Sequence, residues 1–168
     1  MSTGPVYVLD SDVFMTAARS YYAFDLVPTF WDALVREAKN RRLLSIDRVK
    51  AQIDHGNDRL KQWANNDFHP WFVSTNEGSV LEHYRAIMQW AAAQHHFTDA
   101  AKAEFADVTN ADPWLVAYAK ATNRTVVTNE QYDPNIRRRI RIPNVCKAFA
   151  VEYVDTFQML RALEIRLS

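Results

Sequence analysis

Three carboxylates that lie far apart in the sequence have the residue types and local settings of a divalent-metal site. The first, Asp10, ends a run of apolar strand-forming residues, 6–9, and a second acid follows at Asp12. In α/β folds a strand that ends in this way places its carboxylate at the sheet edge where ligand clefts form. Buried acids repel one another unless a cation or a proton neutralises them, so Asp10 predicts companion acids elsewhere in the chain.

Asp112 and Glu130 are the candidate companions. Asp112 precedes Pro113 and an apolar run, which predicts a helix with Asp112 as its N-cap. Glu130 follows a short β-branched strand at residues 125–128. We expect acids at the ends of such elements to converge, and Mg²⁺ or Mn²⁺ prefers oxygen ligands of this kind.

Each acid also has an explanation without chemistry. Asp112 suits a helix cap, either Asp10 or Asp12 suits the cap of the helix that begins near Asp12, and Glu130 suits a solvated loop. In the functional interpretation, Asp12 and Thr128 contact the metal ligands or their waters and do not bind the metal themselves. The two interpretations differ in whether the acids converge.

A basic segment follows Glu130 within a few residues. Residues 136–143 carry four arginines, although the whole chain balances 20 basic against 20 acidic residues. Alternation along an extended segment puts Arg137, Arg139 and Arg141 on one face, where they suit the phosphates that flank an acidic metal centre. The alternative is a charged edge strand that resists pairing with other sheets.

Strands and helices alternate along the chain and must position these side chains. Short apolar runs predict strands at residues 6–9, 43–46 and 125–128. Residues 68–73 are predicted to form an aromatic connector, residues 98–105 a solvent-facing helix, and residues 129–144 a polar loop between two strands. The pattern predicts an α/β fold, a three-layer α/β/α sandwich with a mainly parallel central sheet, in which residues 1–168 form a single domain.

The composition predicts a folded protein of a reducing compartment. The chain is 48% hydrophobic and contains five Trp, seven Tyr and nine Phe, which argues against disorder. Cys146 is its one cysteine and has no partner for an internal disulfide. Residues 1–12 lack the features of a secretory leader, and no apolar stretch is long enough for a membrane span. These features favour the cytoplasm.

Three sequence blocks resemble those of PIN-domain ribonucleases. They are YVLDSDVF at residues 7–14, ADPWLVAYA at residues 111–119 and VVTNE at residues 126–130. The later IPNVCKAF, residues 142–149, is similar to a narrower and uncharacterised PIN-like branch. The resemblance covers nearly the whole chain in the family's order. It implies a PIN-like fold in which Asp10, Asp112 and Glu130 bind Mg²⁺ or Mn²⁺.

The chain departs from the PIN pattern at one position. These domains usually carry an inward glutamate on the helix after the second strand, and the corresponding residue here is Gln52. A helix turns by about 100° per residue, so neither Asp47 nor Asp54 shares the face of Gln52. Gln52 can orient a ligating carboxylate or a water on the metal, but it brings no charge. We therefore expect weaker metal binding than in the family pattern.

The resemblance further implies an endoribonuclease that forms the toxin half of a bacterial toxin–antitoxin module. Its catalytic set consists of Asp10, Asp112, Glu130 and Gln52. Its RNA-binding arginines are Arg137, Arg139 and Arg141. The same resemblance implies a homodimer and a cognate antitoxin that blocks the active site.

Two alternatives from other functional classes stay open. Gln52 favours a catalytically weak PIN-like module that only binds RNA or a protein. The acids of Asp10-Ser11-Asp12 also fit the opening motif of haloacid-dehalogenase-type phosphatases. That chemistry requires Thr or Val where this chain has Phe14, and a later lysine and acid pair that the sequence lacks.

Overall fold

A five-stranded parallel sheet forms the centre of the protein. The computed structural model describes residues 4–167; residues 1–3 and 168 of the predicted domain lie outside the described residues. The strands are β1 (Tyr7–Leu9), β2 (Leu43–Ile46), β3 (Phe72–Val73), β4 (Thr125–Val127) and β5 (Tyr153–Val154). Their order is β3-β2-β1-β4-β5, and every neighbouring pair is parallel. The predicted parallel sheet is confirmed.

Helices connect the strands and cover both faces of the sheet. Within residues 4–167 the α-helices are α1 (Ser11–Thr16), α2 (Pro28–Lys39), α3 (Asp47–Asp54), α4 (Arg59–Asn66), α5 (Gly78–Ala93), α6 (Asp99–Ala106), α7 (Asp112–Thr122), α8 (Ile142–Ala148) and α9 (Thr156–Ala162). Every residue of β1 is buried, as are Val126 and Val127 of β4, so both sheet faces are packed against other elements. This confirms the three-layer α/β/α fold. No helix in the described part of the chain is long and apolar enough to cross a membrane.

Two segments differ from the sequence expectation. Phe72–Val73 pairs with β2 as an outer strand, β3. A 3₁₀ turn that contains Pro70, His69–Trp71, directly precedes this strand, and the proline made a strand difficult to predict here. The predicted loop 129–144 ends early, because α8 begins at Ile142 with Pro143 in its first turn. Both elements are too short to show a clear hydrophobic period.

An aromatic cluster fixes helix α1 against the neighbouring elements. The Phe14 ring of α1 packs 6.0 Å from Trp63, 5.7 Å from Phe68 and 5.8 Å from Phe72, measured between ring centroids. Phe14 is fully buried. Because α1 is held at this point, the residue that links it to β1 has little freedom to move. That residue is Asp10.

The strand order reverses between β1 and β4. From β1 the chain proceeds to β2 and β3 on one side, whereas β4 and β5 lie on the other side. A crevice forms at such a point beyond the carboxyl ends of the strands. Asp10 follows β1 directly and Glu130 lies three residues beyond the last residue of β4, Val127, so both belong to the walls of this crevice.

Candidate metal centre

Asp10 is the most deeply buried acid of the crevice. It is 3% exposed, and its backbone N–H donates to the Val127 carbonyl at 3.0 Å. Thr128 Oγ1 donates to Asp10 Oδ2 at 3.1 Å, and Ser11 Oγ approaches Oδ1 at 3.4 Å. Asp10 occupies the N-cap position of α1, but its side chain makes no capping hydrogen bond. The predicted contact of Thr128 with the acids is therefore present.

Asp12 does not cap α1, contrary to the sequence expectation. It lies in the first turn of the helix, where its Oδ1 accepts a hydrogen bond from Thr16 Oγ1 at 3.0 Å. Its charge raises the pKa of Asp10 and of Asp112. Asp12 thus lies beside the acid cluster, as predicted, on its solvent side.

Asp112 reaches the same crevice from α7. It is the first residue of that helix, and Ala111 takes the N-cap position, so the predicted cap assignment is wrong by one residue. Asn110 Oδ1 accepts a hydrogen bond from the Asp112 N–H at 2.9 Å and holds the backbone in place. The Asp112 carboxylate is consequently free of any capping role and points toward Glu130.

Glu130 completes the set from the loop after β4. Its backbone N–H donates to Thr128 Oγ1 at 3.2 Å, so one hydroxyl connects Glu130 and Asp10. The Oε2 atom of Glu130 is buried and has no hydrogen-bond partner among the described residues. The structure therefore brings Asp10, Asp112 and Glu130 together, as the sequence predicts, and Glu130 is not a solvated loop acid.

The three carboxylates destabilise one another in their ionised forms. Burial, followed by the charges of Asp112 and Glu130, raises the pKa of Asp10 well above its ordinary value. Burial and the charge of Glu130 raise the pKa of Asp112 to about 7. Burial likewise raises the pKa of Glu130, and Arg139 offsets part of that rise. A site of this kind favours a proton or a cation at neutral pH.

Arg139 is the cation that the chain itself places beside these acids. Its Nη2 atom lies 4.0 Å from Asp112 Oδ2 and 3.7 Å from Glu130 Oε2. Its side chain is 53% exposed, so the guanidinium approaches the acids from solvent. The predicted proximity of the arginine segment to the acids is thus observed.

The arginine segment is not a strand, and the alternation predicted for it is wrong. Residues 136–141 form an irregular loop without ladder hydrogen bonds. Arg137 Nε donates to the His96 carbonyl at 3.3 Å, and Arg141 Nη1 donates to the Gln131 carbonyl at 3.1 Å. The three arginines therefore point to different places, and the alternative of a charged edge strand is also wrong.

A cleft of about 370 Å³ opens on the Asp112 side of the acids, and Gln52 lines it. Gln52 Nε2 donates to the Thr109 carbonyl at 3.3 Å. The neighbouring acids of α3 are engaged elsewhere: Asp54 accepts a hydrogen bond from Lys50 at 2.6 Å, and Asp47 accepts one from Thr75 at 2.8 Å. As the helix geometry predicts, neither replaces the missing glutamate.

Glu104 is an acid of the cleft that sequence reasoning missed. It lines the same wall as Gln52 and Asp112, and its charge raises the pKa of Asp112. The predicted solvent-facing helix is present, since most of α6 is exposed, Glu104 included. Its buried residues Ala101 and Phe105 fix the orientation of the helix, and Glu104 then lies at the cleft. The sequence did contain one indication of this position. Helix α6 ends only a few residues before Asp112, so the short turn between α6 and α7 keeps the two helices close together.

Residues 7–167 match a family described as a domain of unknown function, DUF4411. The chain belongs to the DUF4411 family. No curated protein matches its sequence significantly.

Solved structures share the fold of this DUF4411 protein. One is VapBC2 from Rickettsia felis, in a structure with a bound DNA fragment from the VapBC2 promoter. It is 15% identical to this chain, with a TM-score of 0.52 over 89% of this chain and 98% of the other. FitAcB from Neisseria gonorrhoeae is 17% identical, with a TM-score of 0.52 over 88% of this chain and 96% of the other. Both are PIN-domain toxin–antitoxin complexes, so the predicted PIN-like fold is confirmed.

The donor set of the DUF4411 crevice fits a hard divalent cation. Its carboxylates are short of positive charge, and the buried Glu130 Oε2 accepts no hydrogen bond from any residue between 4 and 167. Burial raises the pKa of the Cys146 thiol, so no thiolate competes as a soft ligand. Within the described residues no group of three or more His, Cys, Asp or Glu side chains is yet arranged to hold a metal ion. Binding of an ion would require the acids to approach one another and Arg139 to move away from Asp112 and Glu130.

Gln52→Glu is expected to tighten Mg²⁺ or Mn²⁺ binding by about 10-fold, the size of effect typical of groups around a metal site. The new charge faces Asp112 and Glu104 and gives up the hydrogen bond to Thr109, so the metal-free protein should melt at a lower temperature. Calorimetric titration and melting curves with and without metal check both effects. Gln62→Glu on α4 adds the same charge outside the cleft, and identical behaviour of the two variants would remove Gln52 from the site.

Proposed function

We propose that this DUF4411 protein is a metal-dependent endoribonuclease. The observation that carries the proposal is the convergence of three carboxylates at the point where the strand order reverses: the buried Asp10, and Asp112 and Glu130, whose side chains are each 14% exposed. Side chains with strongly shifted pKa values that share a crevice are frequent at catalytic sites. The PIN-like fold supports the same conclusion by analogy.

The proposed roles follow from the positions of the side chains. Asp10, Asp112 and Glu130 hold Mg²⁺ or Mn²⁺ through their carboxylate oxygens. When bound, such an ion lowers the pKa of water, polarises the phosphoryl oxygen and stabilises the leaving oxygen. Thr128 fixes the orientation of Asp10 through its hydroxyl, and Gln52 orients a water or a carboxylate in the cleft. No nucleophilic side chain is required.

The arginines are proposed to hold the RNA backbone. Arg139 lies closest to the acids, where a phosphate that enters the site replaces the carboxylates as its partner. Arg137 and Arg141 each spend one donor on a backbone carbonyl, and a guanidinium has further N–H groups for phosphate oxygens. The chain has no net charge, so this local group has to supply the attraction for RNA.

We further propose that the protein is a toxin that a cognate antitoxin neutralises. The support is the likeness of its fold to VapBC2 and FitAcB, which are toxin–antitoxin complexes. The antitoxin is expected to cover the acidic crevice, and the toxin itself to form a homodimer in the cytoplasm. Growth arrest after expression of the chain, relieved by co-expression of a protein encoded beside it, tests this part.

Cleavage of single-stranded RNA by the purified protein tests the proposed activity. We expect products in the presence of Mg²⁺ or Mn²⁺ and none after addition of EDTA. RNA binding without cleavage at any metal concentration would instead support a binding module, the alternative that Gln52 favours. An aspartyl-phosphate trapped on Asp10 would contradict both and indicate a phosphatase.

The double change Arg137→Gln with Arg141→Gln is expected to weaken RNA binding by a similar factor for all sequences. Each lost phosphate contact should reduce the slope of log affinity against log salt by roughly 0.7 for a single strand. Binding isotherms at several salt concentrations measure the slope. The matched control is Arg161→Gln with Arg166→Gln, which removes the same charge near the far end of α9. Equal slopes for the two double variants would contradict the prediction.

A further inference from the structure

A second pocket lies beside the acids, over the carboxyl ends of β4 and β5. Its volume is about 330 Å³, enough for a group the size of a nucleobase and too small for a protein helix. Aromatic and small apolar side chains form one part of its wall, and polar side chains form the rest. The members used below are Thr16, Tyr21, Tyr22, Asn129, Gln131 and Phe157.

Two of the aromatic rings are unusually exposed. Tyr21 is 64% exposed and Phe157 is 48% exposed, and their ring centroids lie 6.3 Å apart at an interplanar angle of 73°. Tyr22 is anchored below them, stacked on Phe30 at 4.4 Å. The edge-to-face pair, together with the anchored Tyr22, keeps ring surface available to solvent. This exposure gives up the favourable free energy of burying two aromatic rings, and core packing does not require it.

A π-helical turn creates this arrangement. Residues Ala17–Tyr21 form one such turn after α1, with the Tyr22 N–H bonded to the Ala17 carbonyl at 2.8 Å. Turns of this kind are rare and occur frequently at functional sites. Here the wider turn brings Tyr21 to Phe157 of α9, across the mouth of the pocket.

The polar wall offers hydrogen bonds to a flat ligand. Asn129 Oδ1 accepts from Thr156 Oγ1 at 2.8 Å and from the Thr156 N–H at 3.2 Å, which fixes the side chain and leaves its NH₂ group as a donor. The exposed Gln131 adds an amide with both donor and acceptor capacity. Stacking surface together with amide groups is how proteins bind unpaired bases.

The pocket and the acid cluster share their supporting elements. Glu130 lies in the chain between Asn129 and Gln131, so one loop serves both sites. Thr16 lines the pocket and donates a hydrogen bond to Asp12 beside the acids. The pocket is therefore adjacent to the acid cluster through the loop 129–131 and through Thr16.

We propose that this pocket binds one unpaired base of the RNA next to the phosphate at the acid cluster, with Tyr21 and Phe157 as the stacking surface. The inference rests on the proposed ribonuclease function and adds a base-binding subsite to it. An RNA base is a better occupant than a protein segment, because the pocket is small and partly polar and is built in part from the loop that carries Glu130.

Binding, measured without cleavage, tests the subsite. Fluorescence titrations use a short single-stranded RNA with one 2-aminopurine base, in metal-free buffer, on the Asp112→Asn background so that repulsion by the acids is reduced. The variants are Tyr21→Ala and Phe157→Ala, and the control is Leu26→Ala, which removes another side chain that is 77% exposed. Each aromatic loss should weaken binding by at least about 5-fold, since stacking on one base contributes about 1–3 kcal/mol.

An abasic nucleotide gives the matching change on the RNA side. Moved along the oligonucleotide, it should weaken binding at one position, and it should have no such effect on the Tyr21→Ala variant, since the stacking partner is already absent. RNA affinities equal to those of Leu26→Ala, or an abasic effect that persists in both aromatic variants, would overturn the inference. So would unchanged RNA affinity combined with lost self-association in sedimentation experiments, which would assign the rings to an interface between two copies. Failure of metal-dependent cleavage by the unmodified protein is a separate result and concerns the proposed activity alone.

Discussion

Replacing Asp112 by Asn is expected to reduce RNA cleavage by at least about 100-fold and, at the same time, to stabilise the metal-free protein at pH 8. The loss of cleavage has the scale of removing one strong electrostatic contact from an active site. The helix should persist, because Asn110 holds the backbone of Asp112 and the carboxylate makes no capping bond. The gain in stability comes from removing a buried charge beside Glu130 and Asp10.

The sign of the stability change depends on pH. Burial and the charge of Glu130 raise the pKa of Asp112 from 3.8 to about 7. Between these values the folded protein keeps a proton that the unfolded chain has released, so stability falls as pH rises through this window and stays low above it. Each pKa unit corresponds to about 1.4 kcal/mol, so the relief in the Asn variant at pH 8 is on the order of a few kcal/mol. Near pH 5 the two proteins should differ much less.

Melting curves from pH 5 to pH 8, in EDTA and with Mn²⁺, measure this dependence. Metal should restore the stability of the parent at pH 8 and leave the variant nearly unchanged. Asp99→Asn is the matched control, since Asp99 also lies in the first turn of a helix but is exposed. It should leave cleavage intact and cost slightly in stability through the helix dipole. If Asp112→Asn cleaves RNA at the rate of the parent protein, Asp112 is not a metal ligand, and the metal hypothesis loses its central residue.

The architecture was predictable because it rests on periodicity and punctuation. Apolar runs that end in polar residues predict β1, β2 and β4. Strand β3 was not predictable: two residues beyond a proline carry no period, and only pairing with β2 makes them a strand. Helix α8 is missed for a similar reason, since its seven residues are mostly buried and show no polar face.

The convergence of the acids was predictable from one rule, that ligands gather at the carboxyl ends of parallel strands. The contributions of Glu104 and Arg139 were not. Glu104 faces the cleft only because α6 packs through Ala101 and Phe105, and that packing depends on tertiary contacts. The alternation rule fails for Arg139 because it requires a ladder of strand hydrogen bonds, and the loop 136–141 has none.

The position of Arg139 leads to the second large effect, because the same side chain has a different partner in each state of the site. Without metal, its guanidinium offsets the charges of Asp112 and Glu130 and lowers the pKa of both. With metal and RNA, it is proposed to bind the phosphate. Its removal should therefore change stability, metal binding and cleavage in three distinct ways.

Arg139→Gln is expected to lower kcat/KM for RNA by about 10- to 100-fold, through loss of a charged contact to the reacting phosphate. Metal affinity should rise, because the guanidinium that lies within 4.0 Å of Asp112 and Glu130 no longer competes for them. The metal-free variant should lose up to about 1 kcal/mol at pH 8, a small effect because Arg139 is half exposed, and less at pH 5, where Asp112 is already protonated and Glu130 is the remaining partner. Cleavage assays, metal titrations and melting curves measure these effects separately.

Arg138→Gln removes the same charge from the neighbouring exposed position and should change none of them. If Arg139→Gln and Arg138→Gln have the same kcat/KM for RNA and the same metal affinity, Arg139 neither competes with metal for the acids nor binds the phosphate. The attraction of RNA must then arise elsewhere on the surface.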